Sequence, residues 1–275
     1  MQRSLGDANI MWEPYDVPRS EGTRIHRIGD ALVCIAVEMT GAGDLLAAMP
    51  VYPEAGTQKK SLRKKADHAI ALPPLEDGAW SRFFIGKAES YELSPGYPPL
   101  PACVSLKETF SLPPGATLDG WIFSRVEARV LVAGNELASF PLVKPYKTLY
   151  GTPDAGVVCR HDEAQFLASN EPMFDSLVTD PGLVAHPVRL KNASSEPVRV
   201  TELCIYGEQL SIFGVGTNMQ SERLLFIFSS SGVRMSLDGQ GPLPSGATVL
   251  AKPKVSGEER FIVRSFELFK AITRL

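Results

Sequence analysis

Ile122-Phe123-Ser124-Arg125-Val126-Glu127-Ala128-Arg129-Val130-Leu131-Val132 alternates with a period of two. Ile122, Ser124, Val126, Ala128, Val130 and Val132 fall on one side, and Arg125, Glu127 and Arg129 on the other. In an extended chain successive side chains point to opposite faces, so this stretch predicts one strand with a buried face and a charged face turned to water. The same rhythm precedes it. Val104, Leu106, Phe110 and Leu112 share a face against Ser105, Lys107, Thr109 and Ser111, and Glu108 interrupts the apolar side, as an edge or a bulge would. Pro113-Pro114-Gly115 between the two stretches suits a tight reversal, because proline fixes φ and glycine frees it. Further along, Val188 and Leu190 alternate with Arg189 and Lys191, and Val198 and Val200 with Arg199 and Thr201. Asn192-Ala193-Ser194-Ser195 between them reads as the turn of a β-hairpin.

With 23 glycines and 22 prolines spread through 275 residues, the chain predicts many short strands and frequent turns. Two segments argue for helix. Ile262, Phe266, Phe269 and Ile272 are spaced as one face of a short C-terminal amphipathic helix, and Gln58 to Ala66 is a weaker case. The length is near that at which one core gives way to two. Pro, Gly and Asp between Pro145 and Gly156 break the strand rhythm there, placing an N-terminal lobe at 1–145 and a C-terminal lobe at 146–275. The expected fold is therefore mostly β: two β-sandwich-like lobes of antiparallel strands with a short C-terminal helix. Leu112-Pro113-Pro114-Gly115-Ala116-Thr117-Leu118 is echoed in Leu243-Pro244-Ser245-Gly246-Ala247-Thr248-Val249, compatible with two lobes of similar topology.

A hydrophobic content of 44%, a charged content of 21% and a net charge of -3 are those of a globular, mildly acidic protein, with no global field toward nucleic acid or anionic lipid. The longest apolar runs, such as Ala31 to Val37, are too short for a transmembrane helix, and the first residues lack the apolar core of a secretory signal. A cytoplasmic location is expected. Cys34, Cys103, Cys159 and Cys204 are far apart with no C-x-x-C, so they read as separate buried thiols, and neither a metal nor another cofactor is expected.

Tyr146-Lys147-Thr148-Leu149-Tyr150-Gly151 followed by Gly156-Val157-Val158-Cys159-Arg160 resembles the central motif of the prokaryotic proteins grouped as domain of unknown function 432. Pro187-Val188-Arg189-Leu190-Lys191-Asn192 and Ser265-Phe266-Glu267-Leu268-Phe269 are similar to that family's second half. The resemblance implies no established activity. That some members are encoded beside small mechanosensitive channels implies at most a loose link to membrane or osmotic stress.

Catalytic chemistry has few candidates. Of His26, His68, His161 and His186, only His161 has chemically rich neighbours, in Cys159-Arg160-His161-Asp162-Glu163, and no Gly-x-Ser-x-Gly elbow accompanies any of them. Gly214-Val215-Gly216 lacks the lysine of a phosphate loop and reads as a hairpin turn. Lys59 to Lys65 carries five cations in seven residues with no aromatic among them, a solvated stretch more than a base-stacking surface. No catalytic residue and no metal ligand is assigned. The segment from Tyr146 to Arg160 is the expected binding surface, lining a cleft at the lobe boundary, with Tyr146, Lys147, Tyr150, Arg160 and His161 as ligand or partner contacts. The expected function is a non-enzymatic ligand-binding or protein-interaction module. The alternatives are an enzyme built around His161 and a carbohydrate-binding module using Trp80, Trp121 and the tyrosines. The expected partner is an unidentified protein or small molecule and not nucleic acid; the oligomeric state is left open.

Overall fold

The computed structural model describes residues 12–20, 22–52, 72–151, 154, 156–168, 180–216, 218–239, 246–255 and 265–266. Among them the chain is β throughout: 21 strands, numbered β1 to β21 in chain order, and a single 3-10 turn at Gly207–Gln209. The strands form four sheets in two compact units. One unit comprises residues 12–96 and Glu127–Lys144; the other comprises Tyr97–Val126 and the described residues from Pro145 on. The chain thus passes between units after Gly96, after Val126 and after Lys144. The last crossing is at the proline read as a boundary. The other two place Tyr97–Val126 with the C-terminal half, so the cut at 145 does not separate the units.

In the first unit, β2 (Arg24–Ile28), β3 (Ala31–Thr40), β4 (Gly43–Val51) and β5 (Ser81–Gly86) form an antiparallel meander. Residues 31–36 are buried without interruption, the mark of a strand covered on both faces. Cys34, Ala36, Ala47, Met49 and Trp80 make the core on one face. Trp80 is 6% exposed and donates its indole N–H to the Pro73 carbonyl at 3.1 Å, so it is a core residue and not a sugar platform. The second sheet is β1 (Pro14–Asp16), β6 (Ser90–Gly96), β9 (Glu127–Val132) and β10 (Asn135–Pro141), in the order β1-β6-β9-β10.

The other unit holds a four-stranded sheet, in the order β11 (Lys147–Tyr150), β12 (Val157–Ala164), β7 (Ala102–Leu112), β15 (Val198–Ile205). It also holds a nine-stranded sheet around β14 (Leu183–Asn192). β8 (Thr117–Arg125) pairs along one edge of β14 and carries β13 (Leu167–Ala168) on its far side. The other edge of β14 is shared by β17 (Asn218–Gln220) and β18 (Leu224–Ser229). Pro187 sits between those two pairings, where no ladder N–H is needed. β16 (Ile212–Val215) and β20 (Thr248–Ala251) extend the sheet beyond β17, and β19 (Gly232–Leu237) and β21 (Ser265–Phe266) beyond β18. β16 and β17 are antiparallel around Gly216, the hairpin read from Gly214-Val215-Gly216. Not every pairing is antiparallel: β12–β7, β14–β17 and β14–β18 are parallel.

The opening stretch keeps its inner face and loses its outer one. Ile122, Ser124, Val126, Ala128, Val130 and Val132 are all buried. They belong to two strands, however, because β8 ends at Arg125 and β9 begins at Glu127 in the other unit. The charged side does not face water either. Glu127 is 9% exposed and accepts from the Ser139 hydroxyl at 2.7 Å, and Arg129 donates to the Pro95 carbonyl at 2.6 and 3.1 Å. Glu108 is exposed where the β7–β15 register breaks, which is the bulge reading.

The stretch read as a β-hairpin is a corner instead. β14 and β15 do not pair with each other; β14 lies beside β8, and β15 beside β7. Pro113-Pro114-Gly115 makes a second corner beside the first, joining β7 to β8. Asn192, fully buried, ties the two together. Its side-chain amide donates to the Leu112 and Glu196 carbonyls at 2.9 and 2.8 Å, and its side-chain oxygen accepts from the Ser194 N–H at 2.9 Å. Its backbone exchanges bonds with Gly115 and Ala116. Gly115 and Gly246, equivalent in the sequence echo, share left-handed φ values of 71° and 73°. Both strands that follow lie in the same sheet of one unit, so the echo does not mark one copy per unit.

The C-terminal helix is not present where its residues are described: Ser265–Phe266 is extended and pairs with β19. The remainder of that segment, Gln58 to Ala66, the Lys59 to Lys65 cluster and His68 lie outside the described residues. Among the described residues no helix is long and apolar enough to cross a membrane.

Candidate functional site

β11 is the edge strand of its sheet and runs antiparallel to β12, with Lys147 opposite Arg160 and Leu149 opposite Val158. Alternation then divides the residues singled out in the sequence. Val158, Arg160 and Asp162 take one face of β12; Cys159, His161 and Glu163 take the other. Tyr146, Lys147 and His161 are exposed, whereas Tyr150 and Arg160 are buried, so the five do not converge on one point. Arg160 is an internal cation. Its Nη2 donates to the Arg125 carbonyl and, at 3.1 Å, to Asp162, which also accepts from the Arg125 N–H at 3.1 Å. The two charged side chains are 4% and 5% exposed. Nε and Nη1 of Arg160 have no hydrogen-bond partner among the described residues. A buried pair held through one nitrogen maintains local geometry more than it adds stability.

The opposite face carries an arrangement that the spacing of the cysteines concealed. Cys103, Cys159 and Cys204 meet with Tyr150 in one buried cluster, on β7, β12 and β15. They are therefore not separate thiols; only Cys34 stands apart, in the other unit. The Cys159 and Cys204 sulfurs are 3.7 Å apart, and Cys103 donates to the Glu202 carboxylate at 3.3 Å. The hydrogen bond with Cys159 and then burial hold the Cys204 thiol well above its usual range, and the same bond draws Cys159 down. Burial, then Glu202, pushes Cys103 up. Cys159 and Cys204 sit on strands separated by β7, and both are free thiols. Among the described residues no group of three or more His, Cys, Asp or Glu is placed to hold a metal ion.

The closest approach to a catalytic pair was not legible either. His186 on β14 is wholly buried, with Nε2 2.8 Å from the Ser124 hydroxyl on β8 and Nδ1 2.8 Å from that of Ser221. Ser221 spends its own proton on the Glu222 carbonyl at 2.8 Å. Nδ1 must therefore donate, and Nε2 accepts from Ser124. Burial lowers the imidazole to about 3, so it is neutral. A serine donating to a neutral imidazole is the contact that hydrolases use, yet here a hydroxyl replaces the orienting acid. Ser124 and Ser221 are each 1% exposed, leaving no room for a substrate. The centre is structural. Its only sequence signal was that Ser124 and His186 fall on inward faces of their strands.

The β11–β12 ribbon exposes large side chains on both of its faces. Tyr146 is 66% exposed, Val158 50% and Leu149 43%, with Leu149 and Val158 side by side. No curated protein and no solved structure matches the chain. The family described as protein of unknown function, DUF432, matches residues 11–270, a span that includes this ribbon, the Asn192 corner and both units. Matched over nearly its whole length, the chain belongs to the DUF432 family.

Proposed function

We propose that the chain is a non-enzymatic interaction module, built from two sandwich-like lobes, that receives an extended segment of a partner along β11. The carrying observation is an edge strand whose outer side no described strand pairs with. Tyr146 C=O accepts from His161 N–H at 2.8 Å, and bonded pairs alternate in an antiparallel ladder. The N–H and C=O groups of Lys147 and Leu149 therefore face away from β12. Beside them lie the exposed side chains of Leu149 and Val158. Backbone groups that hydrogen-bond an added strand, with neighbouring side chains to select it, are the elements of strand addition. The sandwich reading of the second unit is supported by the two corners that fold β7 and β15 over β8 and β14. A cytoplasmic location belongs to the same proposal, supported by four cysteines that are all free thiols. No observation favours an enzyme around His161, whose ring has no hydrogen-bond partner among the described residues.

The test places a photo-crosslinking amino acid at Leu149 or Val158 in the cell, with Phe84 and Val249, apolar positions that are more exposed, as controls. The expected outcome is adducts from 149 and 158 alone, with those from 158 lost when Leu149→Lys is added. Adduct patterns indistinguishable from the controls would overturn the reading.

A further inference from the structure

We infer that the strand received by β11 is β11 of a second copy, paired antiparallel about a two-fold axis through Leu149. This rests on the reading of β11 as a strand-receiving edge and names its occupant. Leu149 directs both backbone groups outward, so on a two-fold axis its N–H meets the carbonyl of its copy, and the reverse, as one bonded antiparallel pair. The side chains then fall into register. Val158 already lies beside Leu149 across the β11–β12 ladder. The axis therefore makes a row of Val158, Leu149, Leu149 of the copy and Val158 of the copy on one face of a continuous sheet. These are the apolar side chains of this ribbon face that are left 50% and 43% exposed in the single chain.

Charge fits the same register. Lys147 is the cation of β11, and an axis through it would set two like charges directly opposite, a destabilising arrangement in any sheet. With the axis at Leu149, Lys147 faces Gly151 of the copy instead. The two four-stranded sheets become one of eight strands, and an edge that no described strand covers is paired. The interface is isologous: the same patch serves both sides, and association stops at two copies.

The experiment measures the mass of the full chain by sedimentation over a range from low micromolar to several hundred micromolar. It should rise with concentration from 29.9 kDa toward twice that value. Leu149→Lys and Leu149→Glu, each placing like charges across the axis, should both remain single chains, whereas an equimolar mixture of the two should recover the doubled mass. Leu149→Cys should crosslink to itself under mild oxidation, and Thr148→Cys, whose side chain points to the other face, should not follow it. A mass that stays at one chain throughout, a dimer that survives both charged variants, or a mixture that fails to reassociate would overturn the inference. A monomer that still yields crosslinks to another protein from position 149 would also overturn it, while leaving the strand-receiving edge in place. Leu149 is exposed, so circular dichroism and a thermal melt matching the unaltered chain confirm that the variants are folded.

Discussion

The Ser124–His186–Ser221 centre and the β11–β12 ribbon each offer polar groups on adjacent strands, and they differ in whether those groups are used up. At His186 both ring nitrogens and both hydroxyls have partners, and water is excluded. On the ribbon no described strand pairs with the outward backbone of Lys147 and Leu149, and three large side chains are exposed. A contact that looks catalytic is thus a satisfied piece of core. Capacity for interaction lies where donors, acceptors and apolar surface are unspent. The contrast predicts large energetic effects in the buried centres and almost none on the ribbon.

Acid should produce the largest effect. Burial lowers His186 to about 3; burial, helped by Arg24, lowers His26, which is hydrogen-bonded to the Tyr91 hydroxyl at 2.6 Å, to about 4, against 6.5 for a free imidazole. Between the folded and unfolded values the unfolded chain binds protons that the folded chain refuses. Stability is therefore level with respect to these groups above 6.5 and falls as the pH drops below it, by up to about 1.4 kcal/mol per pH unit for each histidine. Denaturant unfolding between about pH 7 and 5 measures that slope. His186→Gln should remove about half of it, and an unchanged slope would mean that His186 titrates as if exposed.

Next in size is Arg160→Ala, which leaves the Asp162 carboxylate buried without its cation and should cost about 3–5 kcal/mol in urea unfolding. Adding Asp162→Asn should return part of that loss. A neutral Arg160→Ala would move Arg160 from the buried group to the open one and erase the distinction between the two sides of β12. Asn192→Ala should cost about 2–3 kcal/mol, since the Leu112 and Glu196 carbonyls and the Ser194 N–H lose a partner together. A melting temperature within error of the parent would show that the corners hold without it.

Faces were legible in the sequence and neighbours were not. Period-two alternation correctly set inward all six residues from Ile122 to Val132, and Val188, Leu190 and Val200 as well. It carries no information about which strand lies alongside. A turn-rich Asn192-Ala193-Ser194-Ser195 fits a corner as well as a hairpin, so β14 and β15 were paired with each other when each belongs to a different sheet. The cysteine cluster was hidden for the same reason. Cys103 and Cys204 are directly opposite across a ladder, a proximity created by β7–β15 pairing over a hundred residues of chain. The Tyr146 to Arg160 segment was found by its motif and composition. Its five chosen residues then split by parity, because a strand cannot present Arg160 and His161 to the same side. Leu149 and Val158, the residues that expose apolar surface there, stand in the quoted motif with nothing in the sequence to set them apart from its other members.

The smallest effect is the one on which the comparison turns. Lys147 and Arg160 are directly opposite each other on β11 and β12, yet one is exposed and the other is 3% exposed. Lys147→Ala removes a solvated charge with no buried partner and should change stability by less than about 0.5 kcal/mol. Val158→Lys, at a half-exposed position, should likewise leave the melt of the dilute single chain where it was. If the ribbon is an interaction edge, Val158→Lys must nevertheless act on association, because it sets a charge into the row of apolar side chains that a second strand would cover. Stability and association should therefore separate: melting curves at low concentration that overlay the parent, together with loss of the concentration-dependent mass increase. A Val158→Lys chain that melts several degrees lower when dilute would show that Val158 is part of its own unit's core. The open ribbon would then be one more satisfied surface, no different in kind from the centre around His186.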